Sequence, residues 1–280
     1  EVPVWYEVEV CGDGNLELSE TIARRTSGLI EYILGLIYLS QEDYPGAAAE
    51  FERAIALTEG ARQELSYKPR TIHEVRTISR TLAIYHLVLG RTLAAQRKPD
   101  QTRGEYEIAE SCDPEYGPTY IGFGNIDYSE ERCQRALEWY EKAVELVPRK
   151  QEASAFYACG NAHFCLEQYE AAVVDYELAI ERADPDDQSL GLYHLVLGIT
   201  LCRLKRSAEG IEEIKQALRL AKPDTNLQEA ATAELEKCRV QTPVATPTPT
   251  SSSTPASRPS LSSTPKTPTA TGTTIWTCGG

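Results

Sequence analysis

The chain has 280 residues, with 28 Lys and Arg against 42 Asp and Glu, giving a formal net charge of −14 at pH 7. That length accommodates one large or two small domains, and the acidity argues against a nucleic-acid binder that relies on bulk positive charge. No methionine occurs and the first residue is Glu1, so the sequence is expected to be a mature or excised segment.

The first stretch alternates. Val2, Val4, Tyr6, Val8 and Val10 are interleaved with Glu1, Trp5, Glu7 and Glu9, which is a strand pattern. A lone strand is not stable, so residues 1–15 are expected to end a domain lying upstream. Cys11-Gly12-Asp13-Gly14 follows. A dinucleotide loop would need a third Gly where Glu17 stands and a βαβ unit after it, so a plain turn is expected.

From residue 16 to 240 the patterning is helical. Tyr85-His86-Leu87-Val88-Leu89-Gly90-Arg91-Thr92-Leu93 recurs 108 residues later as Tyr193-His194-Leu195-Val196-Leu197-Gly198-Ile199-Thr200-Leu201, with eight of nine positions identical. Such self-similarity marks a repeat architecture. Five units start near 28, 83, 117, 153 and 191. Each pairs a small residue on a first helix with a large residue and an Ala on a second. The first has Leu34-Gly35-x2-Tyr38, then Ala47-x3-Phe51-x2-Ala54; the second has Leu89-Gly90-x2-Leu93, then Tyr106-x2-Ala109 and Pro114. The third has Tyr120-x2-Phe123-Gly124, then Ala136-x3-Tyr140-x2-Ala143 and Pro148; the fourth has Phe156-x2-Cys159-Gly160, then Ala172-x3-Tyr176-x2-Ala179 and Pro185. The fifth has Leu197-Gly198-x2-Leu201, then Ile214-x2-Ala217 and Pro223.

This pattern resembles the tetratricopeptide repeat. The resemblance implies an all-α, right-handed solenoid in which stacked helical hairpins bury one another's apolar faces. None of the nine prolines before residue 241 falls mid-helix in this scheme, and most mark loops or first turns, where proline is tolerated. Glu31 and Asp127 stand where the pattern wants Trp and Tyr, and Thr102 and Gly210 where it wants a close-packed Ala. Those four positions are expected to pack less well. A 21-residue insertion between units one and two is expected to lengthen the facing helices, with Pro69 near the start of the second. Residues 226–239 read as a capping helix, with Leu227, Ala230, Ala231 and Leu235 on one face and Gln228, Glu229 and Glu236 on the other.

Composition changes abruptly at Gln241. The last 40 residues hold 12 Thr, 7 Ser and 7 Pro and no acid, so the −16 of residues 1–240 is offset only by Arg258 and Lys266. Such a segment cannot bury enough apolar surface to offset ordering entropy, and 241–280 is expected to be a disordered, polyproline-like linker. The apolar run Ile33–Leu39 is about a third of the ~20 residues a membrane span needs, and no signal-peptide pattern is visible.

Catalytic chemistry finds little support. The eight cysteines contain no CxxC pair and no zinc spacing. Those in helices are expected to be mostly buried thiols, with a Cys159–Cys165 or other bridge the minor alternative. His73, His86, His163 and His194 are expected in packing or edge roles, none beside a nucleophile. Asp184-Pro185-Asp186-Asp187 is read as a loop capping the next helix, not a cation site. No cofactor or metal is expected, and no enzymatic activity.

The resemblance implies a peptide-binding groove lined by first helices, with the residue after each motif glycine pointing into it: Leu36, Arg91, Asn125, Asn161 and Ile199. Beside them Tyr32, Leu39, Leu87, Tyr128, Tyr157, Phe164 and Leu195 are expected to form an apolar, aromatic floor. An Asn offers donor and acceptor to an extended peptide backbone. The family's carboxylate clamp needs Lys and Arg where this chain has Ile121, Ser129, Tyr157 and Cys165, so a free-carboxylate ligand is not expected. The chain reads as an interaction scaffold for a basic or apolar protein segment, with no nucleic acid and no membrane span. The alternative is a regulatory or sensor segment of a larger signalling protein or enzyme. Self-association through Tyr32, Leu36 and Leu39 is a third reading. Location stays open, because Thr/Pro-rich linkers suit the outside of a bacterial cell while unpaired cysteines suit the cytosol.

Overall fold

The computed structural model describes residues 16–67, 72–147, 152–222 and 225–241, which belong to a unit spanning Glu1–Pro243. The strand expected at 2–10, the loop carrying Pro69 and the linker at 241–280 lie outside them, apart from Gln241. Among the described residues there are eleven helices and no strand: α1 (Leu16–Ser40), α2 (Tyr44–Tyr67), α3 (Ile72–Ala95), α4 (Pro99–Cys112), α5 (Pro118–Ser129), α6 (Cys133–Leu146), α7 (Glu152–Cys165), α8 (Tyr169–Arg182), α9 (Leu190–Arg203), α10 (Ser207–Leu220) and α11 (Asn226–Gln241). Consecutive helices pair as hairpins and each hairpin packs on the next. The insertion does lengthen the facing helices: α2 and α3 have 24 residues each, against 14 in α4.

Small residues set the helix spacing. A Cβ on Gly124 would come within van der Waals overlap of the buried Tyr140 ring, and the same holds for Gly160 and Tyr176. Each ring therefore sits in a notch that only glycine leaves open. Phe51, Tyr85, Tyr120, Tyr140, Tyr176 and Ile214 are the bulk of the core and are almost fully buried.

Each hairpin turns the same way. Glu42, Arg97, Glu131, Glu167 and Lys205, seven residues after the motif glycine, all have φ between 58° and 63°. The following amide closes the turn on the helix, as in Arg132 N–H to Asp127 C=O at 2.8 Å and Gln168 N–H to His163 C=O at 2.9 Å. This is the Schellman arrangement, in which the left-handed residue is usually glycine. Five side chains are held instead in a conformation that disfavours a Cβ. Glu131→Gly is expected to raise the unfolding free energy by up to about 1 kcal/mol, because relief of that contact exceeds glycine's extra chain entropy. Urea unfolding followed by circular dichroism checks it.

Three of the four departures from the repeat pattern, Thr102, Gly210 and Asp127, pack well, contrary to expectation. Thr102 is buried and its hydroxyl donates to Lys98 C=O at 2.9 Å, which removes the penalty of an unpaired group. Gly210 lets α10 approach α9 more closely than an Ala would: a Cβ there would lie 2.6 Å from Gly198 O. Asp127 is fully buried but amply partnered, as described below. Glu31 is half-buried beside Glu50, whose carboxyl is pushed up by its interaction with Glu31 and by burial despite Arg53.

Candidate functional site

The first helices of the hairpins bring a cavity together. It has a volume of about 340 Å³ and is lined by Leu87 and Arg91 of α3, Ile121 and Asn125 of α5, Ala153 and Ser154 of α7, and Tyr193 and the preceding Asp187 at α9. Three of the sequence-predicted residues, Leu87, Arg91 and Asn125, thus share one cavity, while Asn161, Tyr157, Phe164, Leu195 and Ile199 lie outside its lining. Arg91 is exposed and has no ion pair among the described residues. Asp187 brings a negative group to the same cavity.

The asparagines are held in a fixed sense. Tyr140 Oη donates to Asn125 Oδ1 at 2.8 Å, and Tyr176 Oη donates to Asn161 Oδ1 at 2.8 Å. These tyrosines are the same rings that fill the glycine notches, so one side chain sets helix spacing and amide orientation together. With Oδ1 taken, each Nδ2 is left as the donor, and neither has a partner among the described residues. Asn125 is exposed and Asn161 half-buried.

The floor residues divide. Tyr32 is 5% exposed and stacks on Tyr85 with centroids 4.7 Å apart, so it belongs to the core. Leu195 is also core. Leu36 and Leu39 are half-buried against the α1–α3 core, and Ile199 against the α9–α11 core. Tyr128 is exposed. Tyr157 and Phe164 are half-buried, Tyr157 against Tyr193 at 5.0 Å and Phe164 edge-on to Tyr169 at 5.2 Å.

Sequence reasoning missed the support beneath Asn125. Two positions along α5, the Asp127 carboxylate accepts from Trp139 Nε1 at 2.9 Å and Arg132 Nε at 2.7 Å, with Arg103 at 3.6 Å and Arg135 at 3.9 Å. Burial would raise this carboxyl, but the bonds from Arg132 and Trp139, with the charges of Arg132 and Arg135, outweigh it and hold it below the usual range. The signal was present in the sequence as an acid at a core position, with Trp and Arg on the following helix.

Among the described residues the reactive side chains are held in packing arrangements. Burial pushes the Cys159 thiol up to about 12, with Asp175 adding to it, so it is protonated and inert. His86, His163 and His194 each place Nδ1 2.6–2.7 Å from a carboxylate of the partner helix, Glu105, Asp175 and Glu213. These are clamps within hairpins, consistent with packing roles. Among the described residues, no group of three or more His, Cys, Asp or Glu is arranged to hold a metal ion, and no helix is long and apolar enough to cross a membrane.

Four cysteines expected as thiols form bridges instead. Cys133 at the start of α6 is joined to Cys165 at the end of α7, and Cys202 of α9 to Cys238 of α11, with Cα–Cα distances of 6.1 and 5.7 Å. Cysteines about one repeat apart fall at neighbouring places in the stack, which brings their Cα atoms within bridging range.

A family model described as Tetratricopeptide repeat matches residues 19–62 and 121–188. A UDP-N-acetylglucosamine–peptide N-acetylglucosaminyltransferase of Giardia intestinalis is 33% identical over 92 residues, which is 29% of this chain and 6% of that protein. The chain therefore spans a small fraction of that curated relative. The crystal structure of yeast Tom70 superposes with a TM-score of 0.57 at 16% identity, covering 82% of this chain and 45% of that one. A thermophilic TPR protein of Thermus thermophilus gives 0.55 at 17% identity, covering 75% and 99%. Pseudomonas aeruginosa pilF gives 0.55 at 14% identity, covering 78% and 91%. At these identities the likeness is one of fold. With the repeated hairpins, the glycine notches and the sequence match in agreement, residues 19–62 and 121–188 are tetratricopeptide repeats, and the stack of hairpins that contains them has that fold.

Proposed function

We propose that this protein is a non-catalytic interaction scaffold that holds an extended protein segment against the first helices of its hairpins. One observation carries the reading. Asn125 and Asn161 each have Oδ1 engaged by a buried tyrosine hydroxyl, so Nδ2 is left as a pre-set donor at equivalent positions of consecutive repeats. A donor already fixed in place loses little side-chain entropy on binding. Peptide carbonyls along an extended backbone suit such donors, and Leu87 and Tyr193 in the adjoining cavity suit apolar side chains. The net charge of −14 favours a basic or apolar segment, with Asp187 available to a cation beside Arg91. The glycosyltransferase match, confined to 92 residues, supports the repeats as the shared element and not a catalytic one.

The test uses peptides selected from a random display library on the full chain, with affinities read by fluorescence polarisation. Asn125→Ala with Asn161→Ala is expected to weaken binding by about 10–100-fold, each lost hydrogen bond contributing about 1 kcal/mol. Tyr140→Phe, which removes only the hydroxyl that orients Asn125, is expected to weaken it by a few-fold. Unchanged affinity in the double variant would remove the groove assignment.

A further inference from the structure

The two asparagines have aromatic neighbours on their own helix faces. Tyr128 stands one turn after Asn125 on α5, and Tyr157 one turn before Asn161 on α7. Tyr128 is exposed and Tyr157 half-buried. Burial raises the Tyr128 hydroxyl, and the nearness of Tyr157 adds to it. The same two rings bear on Tyr140 and Tyr176, the tyrosines that bond the amides. The surface is thus two amides set among four phenol rings.

Its hydrogen bonding is one-sided. Both Oδ1 atoms accept from the Tyr140 and Tyr176 hydroxyls at 2.8 Å, so each amide has only its donor to offer. An ordinary extended segment carries a backbone N–H at nearly every residue, and an N–H covered without an acceptor is penalised. Proline has no N–H, while its carbonyl is a full acceptor. A proline-rich segment therefore presents acceptors where this surface presents donors. The pitch agrees. Helices α5 and α7 touch, and packed helices lie about 8–10 Å apart. A polyproline II helix has about three residues per turn and rises about 3.1 Å per residue, so carbonyls one turn apart lie about 9 Å apart on one face. Proline-rich segments dock on aromatic surfaces and enter them already ordered. They need no charge, whereas a chain of net charge −14 repels an acidic segment.

We infer that the segment held here is proline-rich and lies as a polyproline II helix across α5 and α7, with carbonyls one turn apart on Nδ2 of Asn125 and of Asn161 and a proline ring against Tyr128 and Tyr157. This rests on the groove proposed for these asparagines and narrows it to one class of partner.

Fluorescence polarisation on the full chain tests this with two labelled peptides of about ten residues, an oligoproline and a proline-free peptide of Gly, Ala and Ser. Oligoproline is expected to bind at least about tenfold more tightly, because it is ordered beforehand. Asn125→Asp with Asn161→Asp keeps the shape and an acceptor for each tyrosine hydroxyl but removes both donors. It is expected to weaken oligoproline binding by about 10–100-fold with unchanged helical circular dichroism. Tyr128→Ala, at an exposed position, is expected to weaken it by about 2–10-fold. Oligoproline that binds no better than the proline-free peptide overturns the inference, as does oligoproline binding indifferent to the aspartate substitutions. If proline-free peptides selected from the display library bind instead, and Asn125→Ala with Asn161→Ala abolishes that binding, the proline class falls while the groove stands. If no peptide of either kind responds to the alanine substitutions, both fall.

Discussion

Asp127→Ala is expected to lower the unfolding free energy by about 3 kcal/mol. Removing one member of a buried ionic group leaves the others uncompensated, at about 3–5 kcal/mol. The low end applies because Arg132 is 38% exposed and can turn to water. Trp139 Nε1 also loses its acceptor, a further desolvation penalty. Asp127→Asn keeps an acceptor for the indole and loses only the charge, so about 1–2 kcal/mol is expected. The pH dependence has a definite sign. The folded carboxyl lies below its unfolded value of about 3.9, so its contribution is complete above that value and is lost as the pH falls through the lower folded one. Wild type and Asp127→Asn should therefore differ in urea at pH 7 and converge in strong acid. Trp139 fluorescence reports the local event. A constant difference down to pH 2 would refute the assignment.

Reduction of the two bridges is the second large effect. They close loops with sequence separations of 32 and 36 residues, and chain entropy gives each about 3–4 kcal/mol of stabilisation. Reductant is expected to lower the urea midpoint of the wild type. In Cys202→Ser with Cys238→Ser, about half of that response should remain. The same variant is expected to fray α11 first, since Cys238 lies among the few buried anchors that hold this helix to α9 and α10. Hydrogen exchange at 226–241 reads that directly. A midpoint insensitive to reductant would show that the bridges contribute nothing.

The hairpins were legible in the sequence because each carries its own local signals. A glycine, a bulky residue sixteen positions later (aromatic in four units, Ile214 in the fifth) and a proline at a boundary all fall within one repeat. The insertion was legible for the same reason, as extra helix-compatible residues with no new turn. What escaped were pairings between repeats or outside the pattern. Asp127 looked like a flaw because the repeat pattern offers no partner for an acid; its partners Arg103, Arg132, Arg135 and Trp139 lie outside the motif positions. The bridged cysteines lacked any short-range spacing rule, although a separation near one repeat length was itself a clue. Asn125 and Asn161 stand out in the sequence by position alone, but the hydroxyls that bond them lie fifteen residues away on the second helix. Tyr32 was misjudged because a long second helix, α2, and Tyr85 of α3 enclose it.

The bridges also divide the molecule mechanically. Between Cys133 and Cys238 a taut chain can lengthen only through the segment from Cys165 to Cys202, because the loops on either side are closed by covalent bonds. The hairpins α1–α4 carry no such bond among the described residues. Tension applied along the backbone would draw out α1–α5 ahead of Cys133 and, between Cys133 and Cys238, only the segment from Cys165 to Cys202. The protein is thus graded along its length: an extensible lead, and a trailing portion whose reach is limited by its own covalent loops.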